Sequence, residues 1–229
     1  MNDAVILITG ASSGIGAETA RQVTKAGYRV VLAARSEDRV TRLAEALGGP
    51  DRALAVHCDV NDAASQQAMV ASALEHFGRI DAVFANAGMG GSPGGFSGAD
   101  TAIWREMILT NIYGVGLTLR HTIEALKRTR GHLLLTGSAA GRTTIAGSMY
   151  SATKWAVSAI GYGVREELRG TGIRVTLIEP GMVDTPFFDE PPAYALKPED
   201  VARAVLYAIS QPPHVDVNEI LVRPTPPLD

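Results

Sequence analysis

The chain has little cysteine, few aromatic residues and almost no net charge. Cys58 is the single cysteine among 229 residues, so no internal disulfide can form and a reducing compartment suits the chain. The formal net charge is −3 and no basic block occurs, which argues against nucleic acid or an anionic membrane as partner. No apolar run approaches the length of a membrane span, and the opening "MNDAVILITG" lacks the basic flank of a signal peptide. The five histidines show no metal-ligand clustering, so no metal is expected, and Cys58 reads as packed rather than reactive. A cytoplasmic protein is the resulting expectation.

What the chain does have is 46% apolar residues arranged in short, β-branched runs. "AVILIT" (4–9), "YRVVLAA" (28–34), "RALAVHC" (52–58), "IDAVFA" (80–85), "GHLLLTG" (131–137), "IRVTLIE" (173–179) and "EILVR" (219–223) read as strands. Helical patterns near 15–26, 36–47, 62–76, 100–128, 148–169 and 198–209 separate them. Strands that are apolar throughout and alternate with helices imply a parallel sheet covered on both faces. The predicted fold is therefore α/β: a single doubly wound, Rossmann-like domain over 1–229, its seven-stranded parallel sheet flanked by helices. Ligands in such sheets bind beyond the carboxyl ends of the strands.

"TGASSGIG" (9–16) lies between the first strand and the first helix, with Ser12, Ser13 and Ile15 among Gly10, Gly14 and Gly16. Glycine allows a sharp turn and the close approach of a pyrophosphate, and the helix N-terminus offers N–H groups to the anion. The spacing is G-x-x-x-G-x-G rather than the G-x-G-x-x-G fingerprint. Farther on, "MYSATK" places Tyr150 and Lys154 one helical turn apart. Alone, that pair reads as a surface contact; beside a dinucleotide loop it reads as a phenol and the ammonium that tunes it. Lowering a phenol by two to three pH units from about 10 takes roughly 3 to 4 kcal/mol, within reach of a charge about 4 to 6 Å away.

"TGASSGIG", "NAG" (86–88) and "YSATK" (150–154), in that order, resemble the short-chain dehydrogenase/reductase family over essentially the whole chain. The resemblance implies a nicotinamide cofactor. Where NAD-selective members place an acid after the second strand, this chain has Ala34 and then Arg35, so NADP(H) is favoured over NAD(H), with Ser13 as an added donor. Arg39, one turn on, either assists or lies on the surface. Asp59, with Val60 beside it, is implied to meet the adenine, and Asn86, Ala87 and Gly88 to line the cofactor cleft. Pro180, Gly181, Val183 and Thr185 are implied to border the nicotinamide.

The same resemblance implies a catalytic set. Ser138 holds the substrate oxygen, with Thr136 as the lesser alternative, and Tyr150 exchanges the proton. Lys154 lowers the tyrosine pKa and binds the nicotinamide ribose, and Asn111 relays protons from a helix irregularity. Ser138 lies twelve residues before Tyr150, one fewer than the expected spacing. The substrate loop, about 184–198, is short and expected to carry little apolar bulk, which points to a small or polar alcohol or carbonyl; the Gly-rich loop 88–98 borders the same pocket. The tail resembles the branch acting on 3-hydroxy acids such as serine and allo-threonine and on small carbonyls. Arg142 either pairs a substrate carboxylate or is solvated. The helices at 100–128 and 148–169 imply a homodimer or homotetramer. An NAD-dependent dehydrogenase and a non-catalytic NADP-binding redox sensor are the alternatives.

Overall fold

The computed structural model describes residues 3–225 other than 92, 189, 191 and 192. Each apolar run forms a strand: β1 (Val5–Thr9), β2 (Arg29–Ala34), β3 (Ala53–His57), β4 (Ala82–Ala85), β5 (His132–Thr136), β6 (Arg174–Pro180) and β7 (Glu219–Val222). All pair in parallel in one sheet of order β3-β2-β1-β4-β5-β6-β7. The chain winds outward from β1 to β3, then crosses back so that β4 pairs with the other edge of β1. That reversal opens a crevice at the carboxyl ends of β1 and β4, where a ligand fits without meeting a crossover.

The helices are α1 (Gly14–Lys25), α2 (Glu37–Ala46), α3 (Ala63–Phe77), the single turn α4 (Gly95–Gly98), α5 (Thr101–Ile108), α6 (Gly114–Thr129), α7 (Met149–Glu167) and α8 (Pro198–Ser210). Successive strand residues point to opposite faces, so the sheet supplies two cores. Ile6 and Ile8 pack with Ala17, Ala20 and Val23 of α1, Val40 and Leu43 of α2, and Val201 and Val205 of α8. Val5 and Leu7 pack with Met69 and Val70 of α3, Leu119 and Leu126 of α6, and Val157 and Val164 of α7. Both faces being covered explains why the central strands are apolar along their middles, Val5–Ile8 in β1 and Leu133–Leu135 in β5.

Two predicted elements differ. The helix expected over 100–128 is interrupted: α5 and α6 are joined by a π-helical turn, Leu109–Tyr113. A π turn inserts one residue into the helical ladder and reorients the side chain there, in this case Asn111. The glycine-rich stretch 88–98, read as loop, contains the turn α4.

Candidate active site

A cleft of about 800 Å³ follows the carboxyl edge of the sheet. It runs from the Gly10–Ile15 loop past Arg35 and Asp59, along Asn86–Gly88, to Ser138, Tyr150 and Lys154, and on to Pro180, Gly181, Val183 and Thr185. Of the site residues expected from sequence, Gly16 and Asn111 do not line it; both support its wall from behind. A Cβ on Gly16 would lie 2.5 Å from the Gly10 carbonyl oxygen, so glycine is what lets α1 close against the loop.

The loop is fixed by β4. Asn86 Nδ2 donates to the carbonyls of Thr9 (3.1 Å) and Gly10 (3.4 Å), while Thr9 Oγ1 accepts from the backbone N–H of Asn86 and of Ala87, each at 3.1 Å. Gly10 has φ +66°, and a Cβ there would stand 2.8 Å from Ala87 Cα. The caps of α3, α5 and α7 (Asp62, Asp100 and Ser148) each accept first-turn N–H bonds, whereas Ser13 caps α1 without a side-chain bond. The first turn of α1 thus keeps donors for an anion, which with the glycine cradle fits a dinucleotide pyrophosphate.

Arg35 is exposed at the lip of the cleft just past β2, and its guanidinium has no hydrogen-bond or ion-pair partner among the described residues. That fits a 2′-phosphate. Arg39 is exposed on α2 and does not line the cleft. Asp59 shapes the turn after β3: its Oδ1 accepts from Asn61 N–H at 3.0 Å, and its own N–H donates to Ser65 Oγ at 3.1 Å.

At the other end, Ser148 caps α7 by accepting from Ser151 N–H at 3.0 Å, which places Tyr150 and Lys154 in the first turns. Lys154 is 4% exposed, and its Nζ donates to the Thr136 carbonyl at 2.8 Å. Burial pulls its amine down to about 8. Its Nζ stands 5.7 Å from the centre of the Tyr150 ring. Burial raises the Tyr150 phenol above its ordinary value, and the neighbouring Ser138 hydroxyl, which favours the phenolate, offsets this only in part. Among the protein's own groups, desolvation of both side chains dominates.

Ser138 is buried at the end of β5 and accepts from Ala140 N–H at 3.1 Å. Thr136 is instead engaged elsewhere: its hydroxyl donates to Asn86 Oδ1 at 3.2 Å and its carbonyl holds Lys154. Asn111, 1% exposed in the π turn, accepts from Met89 N–H (2.9 Å) and donates to the Met89 carbonyl (2.8 Å) and Thr153 Oγ1 (3.0 Å). A Cβ on Gly88 would meet Asn111 Oδ1 at 3.3 Å and Lys154 Nζ at 3.7 Å, so the bare glycine keeps the two side chains close.

Two sequence readings need correction. Arg142 does not line the cleft, and although partly exposed it is not a free surface cation. Its Nε and Nη2 grip the buried Glu179 carboxylate at 2.7–2.9 Å, and it also pairs with Glu219. The substrate loop is short, its base pinned by a Val183–Leu196 bridge, but it is not lacking in apolar bulk at the site. Phe187 and Phe188 line the cleft, and the Phe187 ring packs 5.4 Å from that of Tyr150. The doublet "FF" at 187–188 was the available signal, obscured by the acids and prolines that follow.

Among the described residues no group of three metal-binding side chains occurs, and no helix is long and apolar enough to cross a membrane.

The short chain dehydrogenase family model matches residues 4–193. An uncharacterized oxidoreductase of Staphylococcus haemolyticus is 38% identical over 98% of both chains. Among solved structures, an alcohol dehydrogenase of Thermococcus sibiricus, complexed with 5-hydroxy-NADP, superposes with a TM-score of 0.89 at 34% identity over 99% of each chain. Serine dehydrogenase from Escherichia coli superposes with a TM-score of 0.87 at 32% identity, covering 95% of this chain and 96% of that one. A loop that ties β1 to β4 around an uncapped helix, and a Tyr–Lys–Ser cluster at the far end of one cleft, thus sit in a sequence whose similarity to these oxidoreductases is end to end: the chain belongs to the short-chain dehydrogenase/reductase family.

Proposed function

We propose that the chain is an NADP(H)-dependent oxidoreductase that interconverts a small alcohol and its carbonyl, with Tyr150 as the general acid and base. The observation that carries this reading is the convergence of Ser138 and Lys154 on Tyr150 at the end of the cleft opposite Arg35. When bound, the nicotinamide supplies or accepts the hydride and, oxidised, adds positive charge that favours the phenolate. Ser138 and Tyr150 hold the substrate oxygen, on which charge builds in the transition state. Tyr150 passes its proton to that oxygen in reduction and takes it back in oxidation. Lys154, anchored to the Thr136 carbonyl, holds its ammonium near the phenol and within reach of the cofactor ribose. Asn111 and Thr153 lie behind it on a polar path towards Met89. The first turn of α1 binds the pyrophosphate, and Arg35 the 2′-phosphate.

The binding-only alternative is weakened because Asn111, Ser138, Tyr150 and Lys154 are all present. We also infer a cytoplasmic homodimer or homotetramer formed on α6 and α7. There Leu119, Ile123, Ile160 and Val164 line a hollow together with Arg120, Glu124, Lys127 and Glu167. The test is Tyr150→Phe, which keeps the ring and removes the transferable proton. NADPH-dependent carbonyl reduction is expected to fall roughly 100- to 10,000-fold in kcat with NADPH binding retained. Turnover within threefold of the parent would overturn the reading.

A further inference from the structure

We propose that the substrate end of the cleft is built for a neutral carbonyl or alcohol with an apolar substituent, selected by Phe187, and disfavours acids with a free carboxylate. The inference rests on the reading of Tyr150 as the reacting group, and it departs from the hydroxy-acid class that the tail of the sequence resembles.

The first observation is the wall. The lining of the cleft includes Met89, Ile145, Met182, Pro186, Phe187 and Phe188, with Ser138, Thr143 and Ser148 as its polar members on the β5–α7 segment. The Phe187 ring tilts 60° against that of Tyr150 at 5.4 Å and meets the edge of Phe188 at 5.0 Å. On its other side lies Gly90, where a Cβ would fall 2.2 Å from Phe187 Cζ, so the glycine is what admits the ring. Phe187 thus reaches from the loop after β6 to the loop after β4, against the phenol. A substituent on a carbon bonded to the oxygen at Tyr150 meets this aromatic face first.

The second observation is charge. Among the described residues, Arg35, Asp59 and Lys154 are the charged groups that line the cleft. Arg35 and Asp59 follow β2 and β3, separated from β5 and β6 by β1 and β4. Lys154 is buried and bonded to the Thr136 carbonyl. Arg142 is committed to Glu179 and Glu219, and Lys197 to Asp184 at 2.8 Å; the Arg223 backbone lies behind Gly181, and Arg223 is not among the residues that line the cleft. Positions 92, 189, 191 and 192 are Ser, Asp, Pro and Pro, so they add no cation, and Asp189 and Glu190 add negative charge to the loop. A carboxylate placed against Phe187 and Met182 would lose its hydration and gain no counter-ion.

The test compares ethyl 3-oxobutanoate with 3-oxobutanoate, which share a reacting ketone and differ in charge, together with an aryl methyl ketone. The ester and the aryl ketone are expected to exceed the acid in kcat/KM by about tenfold or more. Phe187→Ala is expected to lower that advantage about tenfold, mainly through KM, and Phe187→Leu to recover part of it. A preference for the acid, or an ester-to-acid ratio that Phe187→Ala does not change, would overturn the inference. If that turnover still vanishes in Tyr150→Phe, the proposed function stands without it. No turnover of any of the three by the parent protein with NADPH or NADH would overturn both.

Discussion

Arg142→Met keeps most of the side chain's volume and removes a charge on which a buried carboxylate depends. Glu179 has no exposed surface, and its two oxygens accept from Arg142 Nε at 2.8 and 2.9 Å and from Nη2 at 2.7 Å, with Ser158 Oγ donating at 3.4 Å. The ion pair pushes the guanidinium well above its ordinary pKa, first through the Glu179 hydrogen bond. Breaking a buried pair by removing one partner costs about 3–5 kcal/mol, because the remaining charge is left unpaired. The Arg142 side chain is 30% exposed, so water can partly replace it, which reduces the expected loss to about 2–3 kcal/mol. For a chain of this size that corresponds to a Tm lower by about 4–12 °C. The assay is urea unfolding at pH 7 of the parent, Arg142→Met, and the double variant with Glu179→Met. The double variant is expected to recover at least half of the loss, since apolar replacement of both partners removes the stranded charge. A single variant within about 0.5 kcal/mol of the parent, or a double variant no better than the single, would refute the reasoning.

Cofactor choice and pH dependence supply further tests. Arg35→Ala is expected to weaken NADPH binding about 10- to 100-fold while changing NADH binding less than about threefold, measured by fluorescence titration; equal losses would detach Arg35 from the 2′-phosphate. His132 is buried on β5, and desolvation lowers its pKa to about 3 from an unfolded value near 6.5. The unfolded chain therefore takes up a proton that the folded chain refuses between those values, so stability falls as pH drops below about 6.5 and levels off near 3. Between pH 7 and pH 5 this one group contributes a loss of about 2 kcal/mol, and urea midpoints of His132→Gln should lack that part of the slope. Identical pH slopes in parent and variant would sink the assignment.

The sheet was legible because its central strands are buried on both faces, and an apolar run such as "VILIT" followed by glycine has few other ways to fold. The break in the predicted 100–128 helix was not legible from periodicity. "LTNIYG" carries no proline, and the π turn is held by contacts from elsewhere: Met89 and Thr153 both bond Asn111. Only the family resemblance anticipated an irregularity there. The residues of the phosphate loop were visible as a local pattern, but the role of Thr9 as the joint between β1 and β4 was not. It needs the parallel pairing of two strands far apart in sequence before its hydroxyl can face Asn86 and Ala87.

At the Tyr150 end of the cleft, spacing is a local property and the pKa is not. Four residues of helix place the Lys154 ammonium 5.7 Å from the Tyr150 ring, and that much follows from "YSATK". Whether the ammonium can draw the phenol down depends on how far each has been taken out of water, and the groups packed on them come from elsewhere in the chain: Gly88 and the Thr136 carbonyl at Lys154, and Phe187 at Tyr150. Burial raises the phenol and lowers the amine, so each charged form is disfavoured before the other is considered. Arg142 shows the same limit from the opposite side. An arginine four residues past Ser138 reads as a substrate contact only while Glu179 and Glu219 are distant in sequence; once β6 and β7 pair, both carboxylates reach it first. The partner of Arg142 is thus decided by the strand order, which sets Glu179 and Glu219 on neighbouring strands beside it.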